Sequence, residues 1–213
     1  MSSENFGEDY FMNGVKSGLS NYMDYKWLPD LTLPMAKSFM QIFGVPKEST
    51  VLDFGCARGF FVKALMEHGV NAFGIDVSEW AIKNCHKDVF GRVFNKIEDC
   101  PLFYDYIFSK DVLEHIPMQE LIKIIPRLLS ACMDAAIFIV PLAKAEGGEY
   151  VYPSDELDIT HIHRKTLDGW IDLIQPIAKD FTIFTSKNIA VLKKPIEQYA
   201  GCAGVIYCKK IKK

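Results

Sequence analysis

The chain has 213 residues, 49% of them apolar and 24% charged, with a formal net charge of −3. That is the make-up of an ordinary globular chain with apolar material for one core, and its length predicts a single domain over 1–213. It excludes a bilayer-spanning helix, because the longest apolar run, Ala135 to Ala143, falls far short of about 18–20 residues, and it argues against wholesale disorder.

Four of the 24 basic residues (Lys209, Lys210, Lys212 and Lys213) crowd the last five positions. Without them the body is more acidic still, so a broad phosphate-binding face is not expected and nucleic acid is an improbable partner. The Lys-rich tail reads as a frayed, solvated terminus. The opening MSSENFGEDYF has neither a basic n-region nor an apolar h-region, so a cytoplasmic chain is expected. No two of the six cysteines are spaced C-x-x-C, and they read as reduced thiols.

In chain order, residues 1–30 are rich in aromatics, Gly and Asn; they suit neither helix nor strand and suggest an arm packed on the body. A helix is expected from Thr32 as N-cap, through Pro34 in its first turn, to Gly44. Then come a strand at Val51–Phe54, a helix at Phe60–His68 and a strand at Val70–Ile75 ending at Asp76. Ser78 is expected to cap a helix to about Val89, stopped by Gly91. Short strands follow at Arg92–Asn95 and Tyr104–Phe108. A helix opened by Pro117 should reach Ala131, kinked or broken at Pro126. The β-branched run Ala135–Val140 reads as a central parallel strand. After a long connection (141–165), Thr166 should cap a helix to about Ile177, and strands are expected at Phe181–Thr185, Ile189–Leu192 and Val205–Cys208. This alternation predicts an α/β fold: a doubly wound, mostly parallel, seven-stranded Rossmann-like sheet with an antiparallel C-terminal edge. Ligands of such sheets bind at the carboxyl ends of the strands.

The strongest local signal is Val51-Leu52-Asp53-Phe54-Gly55-Cys56-Ala57-Arg58-Gly59-Phe60, a strand running through a small-residue turn into a helix. Small residues let the backbone turn tightly and approach a ligand, and free N–H groups at the helix start favour electron-rich atoms. A dinucleotide loop would carry a third glycine where Phe60 stands, which disfavours an NAD-dependent oxidoreductase. Asp76 ends the next strand, where a carboxylate can accept both hydroxyls of a ribose.

With these stretches, and with IEDCP (97–101) and SKDVLEHIP (109–117) in order and spacing, the chain resembles the class I S-adenosylmethionine-dependent methyltransferases. The resemblance implies a cofactor, S-adenosyl-L-methionine, left as S-adenosyl-L-homocysteine after transfer. It implies that Asp53 and the loop of Gly55, Cys56, Ala57, Gly59 and Phe60 hold its methionyl part. Asp76 would take the ribose, Val77, Ser78, Ile97 and Glu98 would border the adenine, and Ser109 and Lys110 would touch the methionyl end. Ala57 stands where the family has its middle glycine, and Lys96 where it often has an adenine-binding Asp.

Methyl transfer needs a nucleophile held in line with the methyl in a dry pocket, and an O or N nucleophile can need a base. His161 is the expected general base or acceptor contact, with His115 behind it, and His163 joins the acceptor side. The resemblance also implies that Tyr22, Tyr25 and Trp27 of the arm form a lid over the cofactor that excludes water and shapes the acceptor site. A metal site would need a carboxylate such as Asp158 beside the histidines, and none is expected. The expected acceptor is a small molecule: a metabolite, sugar or natural-product intermediate. The chain is expected to act as a monomer or homodimer, without membrane. A non-catalytic partner subunit binding the same cofactor, or a nucleic-acid methyltransferase, are the alternatives.

Overall fold

The computed structural model describes residues 3–187 and 201–212. Its strands form a seven-stranded sheet in the order β3-β2-β1-β4-β5-β7-β6. They are β1 (Thr50–Phe54), β2 (Asn71–Ile75), β3 (Val93–Phe94), β4 (Tyr104–Lys110), β5 (Cys132–Pro141), β6 (Phe181–Ser186) and β7 (Ala203–Lys210). The five strands from β3 to β5 pair in parallel, Val51 lying between Ala72 and Tyr106. β7 runs antiparallel to both β5 and β6, so the reversed strand lies second from the edge. The expected strand Ile189–Leu192 falls outside the described residues.

Ala135 to Pro141 are all buried, as the unbroken apolar run requires, because helices cover both faces. On one face α3 (Pro29–Phe43) and α4 (Phe60–Glu67) bring Ala36, Phe39, Phe61 and Leu65 to the sheet. On the other, α6 (Met118–Ala131) and α7 (Leu167–Ile174) bring Leu121, Ile125, Leu128 and Trp170. The chain order reverses between β1 and β4, so the crevice of the fold opens at their carboxyl ends, at Asp53–Gly59 and Lys110–Asp111.

Several elements differ from expectation. The arm is helical, with a 3₁₀ turn at Ser3–Phe6 followed by α1 (Glu8–Met12) and α2 (Gly14–Ser17). These helices are too short to stand alone; Phe6, Tyr10 and Phe11 hold them by packing with Ala81. α3 starts one turn early: Pro29 takes the first helical position and Thr32 Oγ1 donates to the Leu28 carbonyl at 3.0 Å instead of capping. α5 (Glu79–Lys83) is much shorter than predicted. Asn84 turns its amide back to the Trp80 carbonyl, and His86 Nδ1 accepts from Asp88 N–H to open a separate 3₁₀ turn at Lys87–Val89.

α6 runs unbroken through Pro126, because the carbonyl its ring leaves unbonded belongs to exposed Ile122, within reach of water. α7 ends at Ile174, short of Ile177: Gln175 keeps helical backbone, but Pro176 has no N–H to continue the hydrogen-bond ladder. The basic tail is not frayed at its start. Lys209 and Lys210 lie in β7, where Lys209 pairs with Asp134 at 2.6 Å and Lys210 Nζ donates to the Cys132 carbonyl at 2.7 Å. All six cysteines are free thiols. Among the described residues no helix is long and apolar enough to cross a membrane.

Candidate active site

β1 ends in a turn closed by its own backbone. Gly55 and Cys56 N–H both donate to the Ile75 carbonyl (2.8 and 3.0 Å), and Gly59 N–H donates to the Cys56 carbonyl at 2.8 Å. Gly55 has φ +87° and a Cβ there would collide with Val112, so only glycine fits. Ala57 is held at φ +47°, in the left-handed region that L-residues avoid. Its N–H donates to Asp76 Oδ2 at 2.7 Å, while Ser78 N–H donates to Oδ1 at 2.8 Å. The carboxylate that ends β2 thus fixes the turn that ends β1.

A cavity of about 420 Å³ opens against this turn. Asp53, Gly55, Cys56, Ala57 and Asp76 line it, with Val77, Ile97 and Lys110. Burial pushes the Asp53 carboxyl up to about 8, the negative charge of Asp76 pushes the same way, and the Lys110 ammonium pulls back. Burial also raises Asp76, against the two backbone N–H groups that favour its charge. This end of the cavity therefore holds two carboxyl groups short of positive partners, and Lys110 is already in contact with Asp111.

The same cavity is walled by Phe6, Tyr10, Phe11, Tyr22 and Tyr25 of the arm and by His115 and Ile116 after β4. The arm is fastened at both flanks. Ser78 Oγ, which caps α5 through Ala81 N–H, donates to the Phe6 carbonyl at 2.5 Å. Tyr10 Oη donates to Asp158 Oδ2 at 2.7 Å, and Ile159 N–H donates to the Leu19 carbonyl at 3.2 Å. The arm walls this side of the cavity, and Asp158 and Ile159 of the long connection hold the arm in place.

The histidines take a different order from the one expected. His115 lines the cavity; its Nδ1 lies 2.8 Å from Thr160 Oγ1, and its ring is edge-on to Phe6. His161 is not among the lining residues but stands behind His115, ring centroids 4.7 Å apart. Its Nε2 lies 3.8 Å from Glu114 Oε1 and 3.9 Å from Asp158 Oδ2. The backbone sets this order, because Ile162 and His163 N–H both donate to the Glu114 carbonyl. His163 is a fastener: its Nε2–H donates to the Ile116 carbonyl at 2.7 Å. Burial lowers all three pKa values, that of His115 to about 4 with help from His161, so the rings are neutral near pH 7.

Other expected site residues lie off the cavity. Phe60 and Trp27 pack on each other outside it, Phe60 also bearing Tyr25. Gly59 approaches Val89 and Val93 so closely that a Cβ would sit within 3.0 Å of both, which makes it a packing glycine. Ser78 faces the arm, as above. Glu98 is exposed, and Ser109 is buried within β4. Conversely, Phe6, Tyr10, Phe11, Asn95, Asp111 and Val112 line the cavity without having been singled out for it. For Asp111 a signal existed, since it follows Lys110 at the end of β4; its φ of +54° is visible only in three dimensions.

Compared with known proteins, residues 26–175 match a family described as a methyltransferase domain. That span begins after Tyr25, so most of the aromatic arm lies outside it. The ubiquinone biosynthesis O-methyltransferase of Nitrosomonas europaea is 31% identical over 87 residues, 36% of this chain and 37% of that protein. This chain therefore covers little more than a third of that relative's length. Among solved structures, a SAM dependent methyltransferase from Archaeoglobus fulgidus has a TM-score of 0.64 at 17% identity, over 86% of this chain and 95% of that one. The magnesium protoporphyrin IX methyltransferase of Synechocystis PCC 6803, solved with bound SAM, has a TM-score of 0.59 at 15% identity, over 98% and 90%. At such identities these two likenesses bear on the fold.

Proposed function

Since the chain belongs to the methyltransferase domain family, we propose that it is an S-adenosylmethionine-dependent enzyme that methylates an oxygen, nitrogen or carbon of a small molecule. The observation that carries this reading is a single cavity bounded both by the Asp53–Ala57 turn with Asp76 and by His115 with the aromatic arm.

The residues present fit the cofactor. Asp53, held up near 8 by burial and by the charge of Asp76, suits a ligand that brings an ammonium group. Each Asp76 oxygen accepts one backbone N–H and keeps a lone pair for a vicinal hydroxyl. When bound, the cofactor supplies a methyl group made electrophilic by its sulfonium.

The chain's own residues then bind, orient and dry. Asp53 and the turn hold the amino-acid end, Asp76 the ribose, and Val77 and Ile97 flank the adenine. Tyr10, Tyr22 and Tyr25 exclude water and bound the acceptor. His115 forms part of the wall that bounds the acceptor and His161 supports it from behind; both rings are neutral near pH 7. A small acceptor is favoured because the arm covers this side of the cavity, and because the curated relative is named for ubiquinone biosynthesis.

The test is to incubate the protein with methyl-labelled cofactor and a cell extract split by size. Label entering the low-molecular-weight fraction supports the reading. Label confined to RNA or protein overturns the acceptor class, and binding without transfer to any fraction supports a non-catalytic subunit.

A further inference from the structure

The cluster behind the acceptor wall contains a buried carboxyl group whose oxygens find no hydrogen bond among the described residues. Glu114 is fully buried in the 3₁₀ turn Leu113–His115, and neither carboxylate oxygen has a hydrogen bond among the described residues. A buried carboxyl group in that condition has lost its hydration without compensation, and a cation or donor that reached it would restore a partner. What surrounds it is a pair of imidazoles. His115 Nε2 is 3.9 Å and His161 Nε2 3.8 Å from Glu114 Oε1, too far to be hydrogen bonds. The three side chains offer ligand atoms all within 4.8 Å of one another.

The protonation pattern is set from outside. Asp158 accepts from Thr160 N–H at 2.9 Å, from Thr160 Oγ1 at 2.5 Å and from Tyr10 Oη at 2.7 Å. With its hydrogen committed to Asp158, the Thr160 hydroxyl can only accept from His115, at 2.8 Å. His115 therefore carries its proton on Nδ1 and turns the bare lone pair of Nε2 toward Glu114. A carboxylate–hydroxyl–imidazole chain of this kind orients a metal-binding histidine.

We propose that Glu114, His115 and His161 form a binding site for a divalent transition-metal cation of the zinc type. Two imidazoles and one carboxylate suit that class, with bonds of about 2.0–2.2 Å. A tetrahedron of that size has edges of about 3.4 Å, so the two Glu114 edges of 3.9 and 3.8 Å must contract by about half an ångström, and the edge between the two imidazoles, within 4.8 Å, by up to about 1.4 Å. The cation neutralises Glu114, and Asp158, 3.9 Å from His161 Nε2, balances the remaining charge. Because His115 also lines the cavity, the site backs onto the acceptor wall. Metal binding here does not depend on the methyl-transfer reading.

The test uses the full chain stripped with chelator, dialysed against micromolar Zn²⁺ and, separately, titrated with Co²⁺. One equivalent of zinc per chain is expected, with affinity reduced about 100-fold or more in Glu114→Gln and His161→Gln. Cobalt should give visible ligand-field bands without the near-ultraviolet thiolate charge transfer that cysteine ligands produce. Zinc should also raise the melting temperature of the wild type. The proposal is overturned if the wild type binds no stoichiometric metal, if both variants bind as tightly as the wild type, or if the cobalt spectrum shows thiolate ligation. Should either variant fail to fold, the wild-type stoichiometry and cobalt spectrum still decide.

Discussion

The backbone N–H of Ala57 donates to Asp76 Oδ2 at 2.7 Å. One side chain thereby connects the two halves of the proposed cofactor site, since the carboxylate meant for the ribose also holds the turn meant for the methionyl end. Asp76→Ala should weaken cofactor binding by about 100-fold and lower stability by about 1–3 kcal/mol, as two buried N–H groups lose their acceptor. Asp76→Asn retains one oxygen and should fall between. Calorimetric titration and thermal melts of both variants test this; an unchanged affinity in Asp76→Ala would remove the residue from the site.

Ala57 occupies left-handed backbone at φ +47°, which costs an L-residue about 1–2 kcal/mol. Glycine would relieve that strain but bring extra unfolded-state freedom worth about 0.4–1 kcal/mol. Ala57→Gly should therefore be neutral to stabilising by about 1 kcal/mol, with cofactor affinity retained. A melting point several degrees below wild type would contradict the strain.

Asp53 gives a pH signature. Its folded pKa, about 8, lies above the unfolded value near 3.8, and burial is the main cause. The folded protein holds this proton where the unfolded chain has lost it. Its contribution is thus fully favourable below about pH 4 and is lost as pH rises toward 8. Asp53→Asn should flatten the fall in stability across that window and melt several degrees higher than wild type at pH 8, while losing cofactor affinity. Parallel pH profiles for the two proteins would sink this assignment.

Ser78 holds the arm and α5 at once, through the Phe6 carbonyl and Ala81 N–H. Ser78→Ala should cost about 1–2 kcal/mol from the lost cap and clasp. It should also speed limited proteolysis within the first 25 residues, with the body left intact. Equal cleavage rates in variant and wild type would show that the clasp does not hold the arm.

His115 reaches the cavity wall and His161 does not. His115→Ala removes part of the wall that positions the acceptor and should cut kcat by about 10²-fold with cofactor affinity unchanged. A drop in cofactor affinity with normal kcat would assign His115 to the other end of the cavity.

The sheet and the Asp53–Asp76 half of the site were legible in the sequence because both are local. A short apolar strand, a run of small residues and a helix start lie within ten residues, and the next strand ends on an acid. The acceptor half was harder to read because distant contacts set it. Tyr10 meets Asp158 across 148 positions of sequence, and no periodicity encodes that bond. The arm's helices exist only because Phe6, Tyr10 and Phe11 have Ala81 to pack on. The order of His115 and His161 follows from the Glu114 carbonyl catching Ile162 and His163 N–H, which spacing alone does not reveal. Ser78 was recognised as a helix cap, but its second bond, to the arm, turns it away from the adenine role that the family resemblance implied.

The cavity between Asp53, Asp76 and the aromatic arm is the proposed nucleoside-cofactor site. Isothermal titration of the full chain with S-adenosyl-L-homocysteine tests this most directly. One site per chain is expected, with a Kd on the order of micromolar, about −8 kcal/mol, and with the signal lost or strongly weakened in Asp76→Ala. Absence of binding at millimolar ligand, or binding that Asp76→Ala leaves untouched, would contradict it.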